Sequence, residues 1–137
     1  MTENHEQIRI LTVAGAEMRE DFRRKLTSFG MSPVLVSRAA ELAHYVRHGE
    51  IYQVALIPAA LQDSDWWSIW GDLALLNPKP AILVYAHTAS FPLWSGVLEA
   101  GGYDVIVEPF TDEKLKGAVL RAAESFAQRS SEGPYQE

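Results

Sequence analysis

The feature that most constrains the fold is a regular alternation of short apolar segments with longer segments of helical periodicity. The apolar segments are rich in β-branched residues and carry almost no charge, which is typical of strands that are covered on both faces of a sheet. Such alternation predicts parallel strands joined by right-handed crossovers, with helices on both faces of one doubly wound α/β sheet. The five predicted strands are residues 8–13, 33–36, 54–57, 81–85 and 105–107.

The segments between the strands have recognisable helix ends. Gly30 follows the first helical pattern as a C-terminal stop, a position where glycine is favoured. The third helix is expected to run to residue 76, and the fourth over about 93–100. Polar residues that commonly cap helix N-termini stand at Ser37, at Asp63 or Ser64, and at Thr111.

The length of 137 residues fits one domain. We expect this domain to cover residues 1–129, followed by a polar tail over 130–137. The chain has no cysteine, so neither disulfides nor thiolate metal sites can form. The polar N-terminus lacks the apolar run of a signal peptide, and no apolar stretch is long enough to span a bilayer. A cytoplasmic location without membrane association is therefore expected.

The charge balance argues against binding to nucleic acid. The chain has eighteen acidic and twelve basic residues, for a formal net charge of −6. Proteins that bind the phosphate backbone of nucleic acids usually have a basic surface. The one basic cluster, Arg23-Arg24-Lys25, is interleaved with Glu20 and Asp21. This pattern is typical of a solvated helix face.

Ligands of doubly wound sheets bind at the carboxyl ends of the strands, and these ends carry few reactive groups. Ala14 and Gly15 follow the first strand, Pro58 the third, Tyr85 ends the fourth and Glu108 follows the fifth. No phosphate-binding glycine loop, nucleophile elbow or dinucleotide fingerprint occurs. We therefore expect neither catalysis nor a cofactor.

Two sets of residues could in principle hold a metal. Glu17, Asp63, His87 and Glu108 belong to loops at one edge of the predicted sheet. His44 and His48 are four residues apart on the second helix, a spacing that can chelate zinc, but no third ligand is evident. Solvated loop acids and an exposed histidine pair are the simpler interpretation, so no metal is expected.

Four segments in order carry a family resemblance. They are residues 10–13, 52–57 and 80–84, and residues 100–110, which read Ala-Gly-Gly-Tyr-Asp-Val-Ile-Val-Glu-Pro-Phe. The first three resemble the first, third and fourth strands of the receiver domain of response regulators (CheY-like), and the last resembles that family's small-residue turn, fifth strand and Lys-Pro-Phe motif. The resemblance extends from about Ile8 to Phe126 and implies a five-stranded sheet of order 2-1-3-4-5 with five helices. It also implies a cis bond between Glu108 and Pro109.

The departures from the family motif fall on its phosphorylation site. Ala14 and Gly15 stand where acidic residues hold magnesium, and Pro58 stands at the phosphoacceptor aspartate. Tyr85 replaces the hydroxyl residue of the fourth strand, and Glu108 replaces the lysine of the fifth. Val105 replaces the switch aromatic. The resemblance thus implies a degenerate receiver with a vestigial phosphorylation pocket.

Two functions stay open for such a degenerate receiver. One is a protein-interaction module in a bacterial signalling or transcription-regulatory pathway, with a second copy among its candidate partners. The other is a sensor whose vestigial pocket binds a small molecule.

Of the four tryptophans, Trp66 and Trp70 share a helical face with Leu73 and are expected in the core, whereas Trp67 points elsewhere. The family's usual contact face implies a candidate partner face of Trp94, Val97, Leu98, Tyr103, Lys114, Lys116 and Arg121.

Overall fold

The computed structural model of the chain describes residues 8–48, 50–59, 66–88 and 90–132. The strands in these ranges are β1 (Arg9–Val13), β2 (Ser32–Val36), β3 (Val54–Pro58), β4 (Ala81–Ala86) and β5 (Asp104–Val107). The helices are α1 (Ala16–Ser28), α2 (Ala39–His48), α3 (Trp66–Leu73), α4 (Phe91–Glu99) and α5 (Asp112–Glu132). All strand pairs are parallel and their order is β2-β1-β3-β4-β5. The predicted fold class and strand order are confirmed.

The register of the sheet brings the carboxyl ends of all strands to one edge, called here the carboxyl edge. Val13 lies opposite Val36, Pro58 opposite Tyr85, and Ala86 opposite Val107. The loops that follow the strands therefore meet above this edge.

Alternate strand residues serve two apolar layers, one on each face of the sheet. On β4, Leu83 packs into the layer covered by α1 and α5, whereas Ile82 packs into the layer covered by α2, α3 and α4. Every residue of β3 and β4 is buried. This double coverage explains why these strands read as continuous apolar runs.

The helix ends agree with the predicted signals in part. Gly30 has a φ of 84°, the left-handed conformation in which glycine ends a helix without strain. Thr111 caps α5, because its hydroxyl accepts a hydrogen bond of 3.0 Å from the Lys114 amide. The fourth helix starts earlier than predicted, at Phe91, since the Ser90 hydroxyl accepts from the Leu93 amide at 3.2 Å. The third helix ends at Leu73, before the predicted residue 76.

Ser37, the predicted cap of α2, contacts both α1 and the first turn of α2. Its hydroxyl accepts a hydrogen bond of 2.6 Å from Arg19 on α1. The Ser37 amide donates to the Glu41 carboxylate at 2.7 Å, so an acidic residue of the first turn closes this helix end. Asp63 and Ser64, the alternative caps of the third helix, lie outside the described residues.

The last helix continues beyond the predicted domain boundary. α5 ends at Glu132, three residues after Arg129, where the domain was expected to end. Residues 133–137 of the predicted tail lie outside the described ranges. None of the helices in the described part of the chain is both long and apolar enough to cross a membrane.

Candidate functional site

An open cleft of about 810 Å³ lies above the carboxyl edge of the sheet. Four of the five residues of the predicted vestigial pocket line it, namely Gly15, Pro58, Tyr85 and Glu108. The fifth, Ala14, is completely buried and belongs to the apolar layer under α1 and α5. The structure thus places the predicted pocket residues in one concave region, with Ala14 inside the core.

Tyr85 forms part of the cleft floor and is anchored at both ends. Its ring packs edge-on against Phe22 of α1, with 5.2 Å between the ring centroids. Its buried hydroxyl donates a hydrogen bond of 2.9 Å to the carbonyl oxygen of Val13, at the end of β1. Burial, and secondarily the nearby Glu108 carboxylate, raise the pKa of the Tyr85 phenol above its usual value. The phenol therefore stays neutral and keeps donating to Val13.

The aromatic packing continues from Tyr85 to the start of α5. Phe22 stacks on Phe110 at a centroid distance of 6.1 Å, and the Lys25 ammonium lies 5.9 Å from the Phe110 ring. The same ammonium is 3.3 Å from the Asp21 carboxylate and 3.5 Å from that of Asp112. These contacts join α1, β4 and the loop before α5 beneath the cleft.

Glu108 lies at the β5 end of the cleft and is largely shielded from solvent. Its side chain is 18% exposed, and its carboxylate lies 3.2 Å from Nδ1 of His87, a side chain that is 88% exposed. The Glu108–Pro109 peptide bond is cis, as the resemblance implies. A carboxylate thus occupies the position where the family carries a cation.

The opposite end of the cleft, above β2, is basic. Ser37 and Arg38 line it there, and Glu17 lies between the two ends at the start of α1. Arg19, which holds the Ser37 hydroxyl, supports this wall from α1. The cleft therefore has a guanidinium above β2, a carboxylate above β5, and apolar residues between them.

The residues that follow β1 and β3 at the carboxyl edge have side chains without oxygen, nitrogen or sulfur atoms. Pro58 has no nucleophilic side chain, and Ala59 beside it is equally inert. Magnesium requires several oxygen ligands in near-octahedral geometry, and Ala14 and Gly15 supply no side-chain oxygen. Across residues 8–48, 50–59, 66–88 and 90–132, no three His, Asp or Glu side chains are grouped so that they could hold a metal ion.

The candidate partner face is only partly on the surface. Trp94 and Leu98 on α4 are exposed, whereas Val97 is completely buried in the layer under α2, α3 and α4. Val97 therefore cannot contact a partner, because its position on α4 turns it toward the sheet. Tyr103 is half-buried and packs against the layer under α1 and α5.

The basic residues of the predicted face point to different sides of α5. Lys116 lies over the Phe29 ring, with its ammonium 5.8 Å from the centroid, and therefore faces α1. Lys114 and Arg121 are exposed and, being seven residues apart, lie on one side of the helix. Lys116 thus does not share a surface with Trp94.

Sequence reasoning missed an exposed aromatic residue beside Trp94. Phe91 is 74% exposed, with its ring centroid 6.3 Å from that of Trp94. Val107 at the end of β5 is a further exposed apolar residue. The spacing of Phe91, Trp94 and Leu98 at i, i+3 and i+7 was the available signal. Trp70 is buried as predicted, and the side chains of Trp66 and Trp67 lie outside the described residues.

Comparison with known proteins identifies the architecture. No protein-family model matches the chain, and no curated protein matches it in sequence. A CheY-like receiver domain from Methanospirillum hungatei is 18% identical, with a TM-score of 0.78 over 89% of this chain and 98% of that one. The receiver domain of a Pseudomonas aeruginosa sensor histidine kinase, solved with magnesium in its active-site cleft, is 19% identical, with a TM-score of 0.73 over 85% and 98%.

A third similar structure is a much longer chain. NtrX from Brucella abortus is 17% identical, and the likeness covers 94% of this chain but 30% of NtrX, with a TM-score of 0.84. At these identities the likeness concerns the fold. The chain has the CheY-like fold of response-regulator receiver domains.

Proposed function

We propose that the chain is a receiver-like signalling module of the cytoplasm that accepts no phosphoryl group and acts by contacting another protein. The observation that carries this proposal is the position of Tyr85. Its ring is buried at the carboxyl edge and its hydroxyl is bonded to Val13. Pro58 stands beside it where the family has the phosphoacceptor. The proposal includes no catalytic step.

Electrostatics support the loss of phosphorylation. The acidic residues that line the cleft, Glu17 and Glu108, follow β1 and β5, and two other strands lie between these strands in the sheet. Within the described ranges no third His, Asp or Glu joins them in a group that could hold a metal ion, whereas magnesium requires oxygen ligands in near-octahedral geometry. Glu108 also repels a phosphoryl group, whereas phosphoryl transfer needs cations that neutralise developing charge.

An exposed aromatic stripe on α4 supports protein contact. We define this stripe as Phe91, Trp94 and Leu98, three exposed residues on one side of the helix. Tryptophan is enriched at the centres of protein interfaces. Glu99, the residue after Leu98 on α4, is also exposed, so an acidic side chain adjoins the stripe. A second copy of the chain is the first partner to test.

The loss of phosphorylation is tested by NMR titration of the labelled protein with magnesium and then with beryllofluoride. We expect no saturable shifts at the amides of Gly15, Ala59, Tyr85 and Glu108. Saturable shifts confined to these residues at ordinary concentrations would contradict the proposal and restore phosphorylation as the input.

The contact surface is tested by sedimentation across a range of protein concentrations, with Trp94→Ala as the variant. If a second copy is the partner, this substitution weakens dimerisation at least about tenfold, since a central tryptophan contributes on the order of 2 kcal/mol. Leu75→Ala is the matched control, because Leu75 is 73% exposed and follows α3. A wild type that stays monomeric throughout excludes the second copy.

The cleft itself favours a second candidate function, the sensing of a small molecule. Its volume of about 810 Å³ falls in the range of small-molecule sites, roughly 300–1,000 Å³. Tyr85 fills the floor without closing the cleft above it. In this case a ligand takes the place of phosphorylation as the signal.

A further inference from the structure

The cleft combines one shielded charge with an apolar floor, and contact with a partner through α4 uses neither. Glu108 is the shielded charge, at 18% exposure. A carboxylate that is withdrawn from water is unfavourable unless it is paired. Within the described chain, the carboxylate lies 3.2 Å from Nδ1 of His87, whose side chain is almost fully exposed. Glu108 therefore retains capacity to accept hydrogen bonds from a ligand.

The floor beside Glu108 offers an incoming ligand apolar contact without hydrogen-bond donors from side chains. Pro58, Ala59 and Ala86 line it together with the Tyr85 ring. The Tyr85 hydroxyl is already committed to the Val13 carbonyl. A planar or aliphatic group can pack on this floor, whereas an anion would meet the Glu108 carboxylate.

The basic end of the cleft lies at the other side of the sheet from Glu108. Arg38 follows β2 and Glu108 follows β5, the two edge strands, and among the described residues no ion pair joins them. Lys25, a cation beneath the cleft, is already held between Asp21 and Asp112. The Glu108 carboxylate at the β5 end of the cleft is therefore best complemented by a cationic group on a bound ligand.

We propose that the cleft binds a small organic cation, an amine, amidine or guanidine on an apolar body. Its charged group pairs with Glu108, and its apolar body lies on the floor formed by Pro58, Ala59 and Tyr85. This assignment rests on the second candidate function, the small-molecule sensor, and names its ligand class.

The test uses four probes of similar size and different charge: benzamidine, benzylamine, benzyl alcohol and benzoate. Each is titrated into the labelled full-length protein and followed by amide shifts. We expect benzamidine and benzylamine to bind with dissociation constants on the order of 1 mM, as suits ligands this small. The shifts should map to Gly15, Ala59, Ala86 and His87.

Substitutions at Glu108 separate recognition of the ligand's charge from nonspecific apolar binding. Glu108→Gln should lower the affinity for benzamidine about tenfold or more, the usual effect of losing a hydrogen bond between charged groups. Glu108→Lys should reverse the preference toward benzoate. Glu113→Gln is the matched control, because Glu113 is an exposed carboxylate on the first turn of α5 and does not line the cleft. Amide spectra of the free variants verify that each is folded.

Each other result overturns the assignment in a distinct way. Equal binding of benzyl alcohol and benzamidine, or an unchanged affinity in Glu108→Gln, contradicts recognition of a cation. A wild-type preference for benzoate contradicts the ligand class but leaves a small-molecule sensor in place. If none of the four probes causes saturable amide shifts, both the ligand class and the sensor are contradicted, and the protein-contact function is unaffected.

Discussion

At the scale of single residues, the carboxyl edge is shaped by a tyrosine that performs two tasks. The Tyr85 ring extends the apolar layer through Phe22, and its hydroxyl ties the end of β4 to the end of β1, across β3. A smaller hydroxyl residue at this position could not span this distance. The tyrosine therefore closes the floor of the cleft and joins non-adjacent strands.

The hydroxyl groups of Tyr85 and Tyr52 allow a matched comparison of stability. Tyr85→Phe should lower the free energy of unfolding by about 1 kcal/mol, because a buried hydrogen bond is lost and its acceptor loses a partner. Tyr52 is also buried, and the Arg9 guanidinium lies close to it, 5.1 Å from the ring centroid, but within the described ranges its hydroxyl makes no hydrogen bond of normal geometry. Tyr52→Phe should leave stability unchanged or raise it slightly.

Urea unfolding of both variants beside the wild type measures the difference. If Tyr85→Phe is as stable as the wild type, or if Tyr52→Phe costs as much as Tyr85→Phe, the hydrogen bond to Val13 does not stabilise the fold. The slope of the transition should be the same for all three proteins, since each unfolds the same surface.

The sequence predicts which residues meet in the cleft better than it predicts how they pair. Gly15, Pro58, Tyr85 and Glu108 follow or end parallel strands, and parallel strands share a carboxyl edge. The hydrogen bond from Tyr85 to Val13 joins residues 72 positions apart. The contact between His87 and Glu108 likewise depends on side-chain orientation, which apolar periodicity does not report.

At the scale of elements, the turn from α4 to β5 is packed tightly against its neighbours. A β-carbon on Gly102 would lie 2.6 Å from Cγ1 of Val97, 2.7 Å from the Trp70 ring and 2.9 Å from the Val97 carbonyl oxygen. The backbone at Gly102 must therefore approach α3 and α4 closely. Position 102 therefore requires glycine because no side chain fits there. The preceding residue, Gly101, has a φ of 95° and ends α4.

A pair of glycine substitutions tests this packing. Gly102→Ala should destabilise the protein by about 1–3 kcal/mol, the usual cost of overpacking a core. Gly71→Ala is the control, because Gly71 lies on α3 with nothing within 4 Å of its added β-carbon. Alanine there should stabilise by about 0.5–1 kcal/mol through helix propensity. Thermal unfolding of both variants measures these shifts, and a neutral Gly102→Ala would contradict the close approach.

The orientation of α4 shows the limit of pattern analysis at this scale. Its segment, Phe-Pro-Leu-Trp-Ser-Gly-Val-Leu-Glu, is apolar on most sides. Periodicity alone therefore leaves open which residues turn inward. Val97 was expected beside Trp94 and Leu98 on the surface, but packing against the sheet places it in the core.

At the scale of the whole molecule, one sheet supports both apolar layers. Because successive residues of β4 point to opposite layers, neither layer can form without the strand that the other also requires. Unfolding should therefore be a single cooperative transition, as is usual for domains of this size.

Substitutions on the two sides of β4 test this coupling. Ile82→Ala and Leu83→Ala remove fully buried side chains from opposite layers. Each should lower the free energy of unfolding by about 2–5 kcal/mol. Far-UV circular dichroism and tryptophan fluorescence should give the same midpoint for each variant. Separate midpoints for the two probes would show that the layers unfold independently.

The sequence by itself determined the order of elements, the parallel sheet and the residue types at the carboxyl edge, whereas the strand order was implied by the resemblance to receiver domains. The sequence could do so because apolar periodicity, glycine stops and strand-end residues act locally, and parallel topology then leaves few arrangements. Only the tertiary structure decided that Tyr85 reaches Val13, that Val97 is buried, that Lys116 faces α1, and that the cleft above the tyrosine stays open. These features depend on helix rotation and on side-chain packing between distant parts of the chain, and both are set when the two layers close on the sheet.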